Sequence, residues 1–192
     1  MNSKRYFVFL VVLLSFFFPG RINAQRVPSD DLQFLLYVDS IYGADDKLVK
    51  GEVYIPTSSK IKGHPYLDIN GWTSGDLFVK GKKFRNVGLM YNIVKDELIL
   101  NAGLSNGGSV KLSLNKALID SFYFDKRLFI KPSYLNISDS SQSFYEVLYD
   151  GTLSFIADYK KSFIRKYSDA SPYGKFSSQT SRKFIVEKGK MV

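Results

Sequence analysis

Apolar and aromatic residues recur along this chain in short runs, often at every second position, with Gly, Asn, Asp and Ser between them. Alternation with a period of two marks a strand with one buried face, and the small polar residues between runs supply the turns. Within 47–55, Val49, Val53 and Ile55 are two apart or a multiple of two, and the run stops at Pro56. Residues 76–79 and 82–86 flank Lys80-Gly81, a tight hairpin in which Gly81 can take positive φ. Residues 87–93 and 97–101 flank a polar Lys95-Asp96-Glu97 turn. After Asn106-Gly107-Gly108, Val110, Leu112 and Leu114 alternate with polar partners, the pattern of a half-buried strand.

The pattern continues to the end of the chain. Residues 118–124 and 127–131 form a hairpin about Asp125-Lys126, and 138–143 are a polar loop. Residues 144–149 and 153–156 flank Asp150-Gly151, a pair that favours the primed turn matching strand twist. Residues 168–181 read as an exposed loop, and 183–187 as a last strand. Two segments carry helical spacing. In 31–42, Leu32, Leu35 and Leu36 share one side behind Ser29 or Asp30 as N-cap; in 159–167, Phe163 and Tyr167 stand four apart. The expected fold is mainly β, an antiparallel barrel-like or sandwich domain built of hairpins, with one or two short helices.

The N-terminus follows a different rule. Thirteen apolar or small residues, 6–18, follow Lys4-Arg5 and precede Pro19-Gly20 and Ile22-Asn23-Ala24. That is the layout of a secretory signal peptide, and it is short of the roughly 20 apolar residues that a spanning helix needs. Cleavage is expected between Ala24 and Gln25. The remaining 25–192 make one domain of 168 residues (192 minus 24), large enough to bury a core. At the other end, Lys188-Gly189 reads as a turn followed by only three residues, so either the last hairpin is stunted or the chain is truncated.

Charge and cysteine narrow the functional classes. Lys4, Arg5 and Arg21 leave with the leader, which contains no acid, so the net charge of +9 becomes +6. In an exported chain such a surface fits acidic envelope polymers or anionic head groups better than nucleic acid, and a basic surface that simply keeps the protein soluble is favoured over either. There is no cysteine. Disulfides, zinc–thiolate sites, cysteine nucleophiles and an N-terminal lipid anchor are all excluded.

No motif calls for catalysis. His64, the single histidine, sits in Gly63-His64-Pro65-Tyr66, and no Gly-x-Ser-x-Gly elbow accompanies it. Asp30-Asp31, Asp45-Asp46 and Asp96-Glu97 are sequence neighbours, which on a strand point to opposite faces and cannot form a facing acid pair. Neither a phosphate loop nor a dinucleotide fingerprint is present, and no cofactor or metal is expected. Trp72, the single tryptophan, lies among glycines and is a candidate sugar-stacking platform, with Tyr66 and His64 nearby in sequence. A core plug is the competing role, since 24 aromatic residues remain after the leader is removed.

Gly63-His64-Pro65-Tyr66, Gly71-Trp72, Gly81, Phe84-Arg85-Asn86-Val87, Leu89-Met90-Tyr91-Asn92-Ile93 and Asp96-Glu97-Leu98 form a pattern, completed by 144–151, Phe-Tyr-Glu-Val-Leu-Tyr-Asp-Gly. It resembles exported β-rich proteins of Bacteroidetes-type bacteria over about 50–192. The shared positions are turns and core aromatics, so the resemblance implies kinship and an envelope address, with no catalytic residue to carry over. Such relatives run on past the last hairpin into a basic tail. In that group Asp39-Ser40-Ile41 would also fit an acceptor for O-linked glycosylation at Ser40. The sequence thus implies an exported protein (periplasmic, outer-membrane-associated or extracellular) that is not an enzyme. Envelope glycans or outer-membrane components are its candidate partners. The alternatives are a glycan or peptidoglycan binding module and an outer-membrane barrel component.

Overall fold

The computed structural model describes Asp30, Gln33, Phe34, Tyr37 and residues 52–103, 108–135, 143–187 and 190–191. The leader, its expected cut and Ser40 lie outside the described residues. Thirteen strands are described in chain order: β1 (Glu52–Val53), β2 (Thr73–Val79), β3 (Lys82–Asn92), β4 (Glu97–Gly103), β5 (Ser109–Ser113), β6 (Ile119–Phe124), β7 (Arg127–Ile130), β8 (Tyr145–Tyr149), β9 (Ser154–Lys160), β10 (Phe163–Ile164), β11 (Lys175–Phe176), β12 (Thr180–Glu187) and β13 (Lys190–Met191). Eleven form one sheet in the order β1-β5-β4-β3-β2-β6-β7-β8-β9-β12-β13, while β10 and β11 pair separately as a small ribbon. All the strand pairs are antiparallel.

Two meanders meet at the β2–β6 seam, and β1 and β13 end the sheet without pairing to each other. The sheet therefore does not close into a barrel. It folds over instead. Tyr91 on β3 and Phe129 on β7 are three strand spacings apart, about 14 Å on a flat sheet, yet their ring centroids lie 5.9 Å apart. Strong coiling brings the two meanders face to face, in a sandwich-like arrangement.

The core follows from the alternation. Val87, Leu89, Tyr91 and Ile93 of the β3 segment face the same interior as Leu98, Leu100 and Ala102 of β4 and Phe122, Phe124 and Phe129 of β6 and β7. Phe34 joins this cluster and meets Phe84 edge-on at 5.0 Å. Tyr37 packs on the same Phe84 ring, and Asp30 accepts a 2.7 Å hydrogen bond from the Arg85 N–H. All three of these residues are helical, in line with the helix expected after Ser29, and Asp30 lies inside it rather than before it. On the opposite face, Met90 and Ile99 pack with Tyr54 and Tyr66, so β3 and β4 are covered on both sides.

The hairpin turns test the residue chemistry directly. Lys80-Gly81 (φ 50° and 79°) and Asp125-Lys126 (φ 49° and 64°) both take positive φ at both central positions, the primed turn expected of two-residue loops. Asp150-Gly151 does not. A bulge between Val147 and Tyr149 breaks the alternation, the connection lengthens to 150–153, and Ser154 Oγ donates to Asp150 across it at 3.0 Å. Residues 159–167 are not helical: 159–160 end β9, paired with β12, and 163–164 form β10, paired with β11, while the Tyr159 hydroxyl donates to Glu146 at 2.6 Å. The loop expected over 168–181 contains β11, and β12 starts at Thr180.

Gly75 marks where β2 squeezes between its neighbours. A Cβ there would stand 2.0 Å from the Tyr123 carbonyl oxygen on β6, beside the β2–β3 bulge. Backbone is the obstacle, so the seam itself must open to admit a methyl group. Gly75→Ala is expected to destabilise the fold by roughly 2–4 kcal/mol through this overpacking. Denaturant unfolding checks it; a loss below about 0.5 kcal/mol, the range of ordinary surface changes, would show that the seam gives freely.

Candidate functional site

Three chain segments converge beside the β10–β11 ribbon. The 62–68 segment lies against β11, with the Phe176 N–H donating to the Lys62 carbonyl at 2.9 Å and the Lys62 N–H to Gly174 at 3.3 Å. Lys161 follows the end of β9, and Ser177, Ser178 and Gln179 lead from β11 into β12. Gly174 takes φ 87°, and a Cβ there would strike the Phe163 ring and the Ile164 carbonyl. Only a glycine lets the ribbon fold back this tightly.

Between these segments lies an open cleft of about 560 Å³, lined by Lys62, His64, Asp68, Lys161, Lys175, Gln179 and their neighbours. Three ammonium groups face one carboxylate, and that carboxylate is already engaged. Asp68 Oδ1 accepts from the Gln179 amide at 2.8 Å while Gln179 Oε1 accepts from the Asp68 N–H at 2.9 Å. Arg127 takes the other Asp68 oxygen. The cleft wall is thus a net cationic surface carried on a closed hydrogen-bonded floor.

Lys161 has a second role. Its ammonium donates to the Tyr66 carbonyl at 2.7 Å and to the His64 carbonyl at 3.3 Å, clamping the loop that carries the histidine. Burial holds the Lys161 pKa below its usual range. Burial and then the Lys161 charge lower that of His64, so the imidazole is neutral at pH 7. The unfolded chain binds a proton there more readily than the folded one. Stability from this group is therefore present above the unfolded value of about 6.5 and is lost as pH falls through the folded one. Denaturation midpoints measured between pH 7.5 and 5 are expected to fall on acidification in the wild type. His64→Asn should flatten that part of the curve, and an unchanged slope would show that His64 does not contribute.

Below the floor, Arg127 bridges the cleft to the core. It reaches Glu146 Oε2 at 3.5 Å and lies over the Phe129 and Tyr159 rings at 5.6 and 5.8 Å. Glu146 is buried and accepts from the Tyr159 hydroxyl, whose pKa is pushed up to about 12 by burial and by this bond. These rigid supports fix Asp68 from beneath.

The residues singled out in the sequence do not share one site. His64 lines the cleft. Tyr66 is buried in the second core cluster, its hydroxyl 2.8 Å from that of Tyr54, so its ring face is closed to a ligand and it stacks only on His64 at 6.0 Å. Trp72 is 36% exposed at the start of β2, outside both the buried clusters and the cleft lining. It is neither a core plug nor part of this site. Lys62, Lys161, Lys175 and Gln179 were missed, because lysines scattered over more than a hundred positions leave no local pattern. Among the described residues no group of three or more His, Cys, Asp or Glu is placed to hold a metal ion, and no helix is long and apolar enough to cross a membrane. No protein family, curated protein or solved structure matches the chain.

Proposed function

We propose that this is an exported, non-catalytic binding domain of the cell envelope, and that its cleft takes an acidic glycan. One observation carries the reading: Lys62, Lys161 and Lys175 surround an open cleft whose single carboxylate, Asp68, is already ion-paired with Arg127 and hydrogen-bonded by Gln179. Ammonium groups supply charge, while the Gln179 side chain and His64 offer the directional hydrogen bonds that sugar hydroxyls require. The open shape suits a polymer lying across the surface. The leader pattern supports export, and the positive balance left after its removal supports an anionic partner. An open sheet also presents edge N–H and C=O groups that lipid cannot satisfy, which favours a binding domain over a membrane barrel.

The test uses calorimetric titration with oligogalacturonate, with a neutral glucose oligomer as control. Binding to the acidic oligomer is expected to weaken as salt is raised, because exposed charges are screened beyond about 10 Å at 0.1 M. Lys62→Glu with Lys175→Glu should weaken it by roughly tenfold or more, equivalent to about 1.4 kcal/mol. Equal affinity for the neutral oligomer, or no response to the double charge reversal, contradicts the proposal.

A further inference from the structure

The cleft carries one side chain whose charge changes near neutral pH. His64 is the single histidine of the chain, and an imidazole with an ordinary pKa of about 6.5 titrates between pH 5 and 8. It stands half-buried in the lining, among charges that are mostly of one sign. Lys161, just past the end of β9, brings Nζ to 3.4 Å from Nδ1 of the ring. Lys175 on β11 and Lys62 on the 62–68 segment line the same cleft. Asp68 is the one carboxylate of the lining, and Arg127 and Gln179 between them engage both of its oxygens.

On the protein side, a protonated His64 thus has no free carboxylate to face. It does have an acceptor. The Tyr66 carbonyl favours the imidazolium, but burial and then the Lys161 charge outweigh it and leave the ring neutral. The missing partner is a negative charge, and a ligand carboxylate supplies one. An opposite charge within about 4–6 Å raises the preference for the ionised form by roughly one to three pH units. The lysines draw the carboxylate in, and the carboxylate then draws a proton from solvent onto the imidazole. Linkage makes the effect reciprocal, so the proton strengthens ligand binding by the same factor.

We infer that the cleft takes its acidic glycan together with a proton, which settles on His64, so that binding tightens as pH falls from about 7.5 to 5.5. This rests on the reading of the cleft as an acidic-glycan site and adds its regulation: the ligand is held on the acid side of neutrality and released toward the alkaline side. Carboxylates of the glycan lose their charge only below about pH 4, and lysines lose theirs on the alkaline side of this window. His64 is therefore the group in the cleft that changes state across it.

Two measurements with oligogalacturonate test the coupling. Titration calorimetry in two buffers of different ionisation enthalpy reads the protons taken up per ligand bound. The wild type is expected to take up a fraction of one proton near pH 6, and to bind at least about threefold more tightly at pH 5.5 than at 7.5. In His64→Asn the uptake should vanish and the affinity should lose its pH dependence. The single histidine also gives a single imidazole Cε1–H resonance, whose titration midpoint should move to higher pH when the protein is saturated with ligand. Binding without proton uptake, with an unmoved midpoint, overturns the coupling and leaves the acidic-glycan site standing. Uptake that persists in His64→Asn overturns the assignment to His64. No saturable binding at any pH overturns both readings. Should His64→Asn fail to fold, the midpoint in the wild type decides alone.

Discussion

Phe122→Ala is expected to lower the unfolding free energy by about 4 kcal/mol, within the 3–5 kcal/mol typical of deleting a buried phenylalanine. Phe122 is fully buried on β6, at the seam between the two meanders. Its ring stacks on Phe129 at 5.0 Å and meets Tyr91 and Phe144 edge-on at 5.5 and 5.1 Å. Those partners come from β3, from β7 and from just before β8, so the ring joins both halves of the sandwich. The cavity left by alanine has little room to collapse, because its walls are other large rings anchored on hydrogen-bonded strands. Against a typical stability of about 5–15 kcal/mol, that loss removes a large share. Phe155→Ala serves as the comparison: that ring is 40% exposed, and its loss should cost far less. Denaturant midpoints with unchanged slopes provide the measurement. Similar losses for the two variants would mean that the sandwich is not held at the Phe122 cluster.

Arg127→Ala is expected to cost roughly 2–4 kcal/mol, the second large effect. The guanidinium is the shared partner of Asp68, at the cleft floor, and of Glu146, beneath it. Glu146 has only 6% of its side chain exposed, so removing Arg127 leaves a buried carboxylate that still accepts from the Tyr159 hydroxyl but has lost its cation. Uncompensated buried charge is the expensive outcome, more than the lost attraction itself. The half-open position of Arg127 discounts the upper end of the range. A double-mutant cycle separates the two contributions: Glu146→Gln in the Arg127→Ala background should recover part of the loss. Strict additivity of the two substitutions would show that the pair is uncoupled. Because Arg127 also fixes Asp68, the same variant should loosen the cleft floor.

Much of the fold was legible in the chain. The runs 87–93 and 97–101 about a polar turn were read from the chain, and they form the paired strands β3 and β4. Lys80-Gly81 and Asp125-Lys126 marked turns whose backbone requirement is local, and both formed. Where a distant contact decided the outcome, local reading failed. Asp150-Gly151 lost its tight turn to the bulge at β8, and the strand residues within 159–167 are set by pairing with the distant β12 and β11. Closure was illegible for the same reason, since the order of strands across the β2–β6 seam leaves no mark on periodicity.

The cleft was less legible still. His64 was visible as a single residue type, but its clamp, Lys161, is 97 positions away. Gln179 and Asp68 are 111 apart, and their reciprocal hydrogen bonds arise only when the ribbon folds back beside the 62–68 segment. Tyr66 and Trp72 stood out by chemistry, yet one was taken into the core and the other left outside the lining. Aromatic residues in so β-rich a chain are selected first for packing, which is why residue type alone did not separate a packed ring such as Tyr66 from an exposed one such as Trp72.

The most direct test of the proposed function is amide and side-chain chemical-shift mapping during titration with oligogalacturonate. The account predicts saturable shifts confined to Lys62, His64, Lys161, Lys175 and Gln179, with the Trp72 indole unmoved. Shifts centred on Trp72, or spread evenly over the surface lysines, would contradict it.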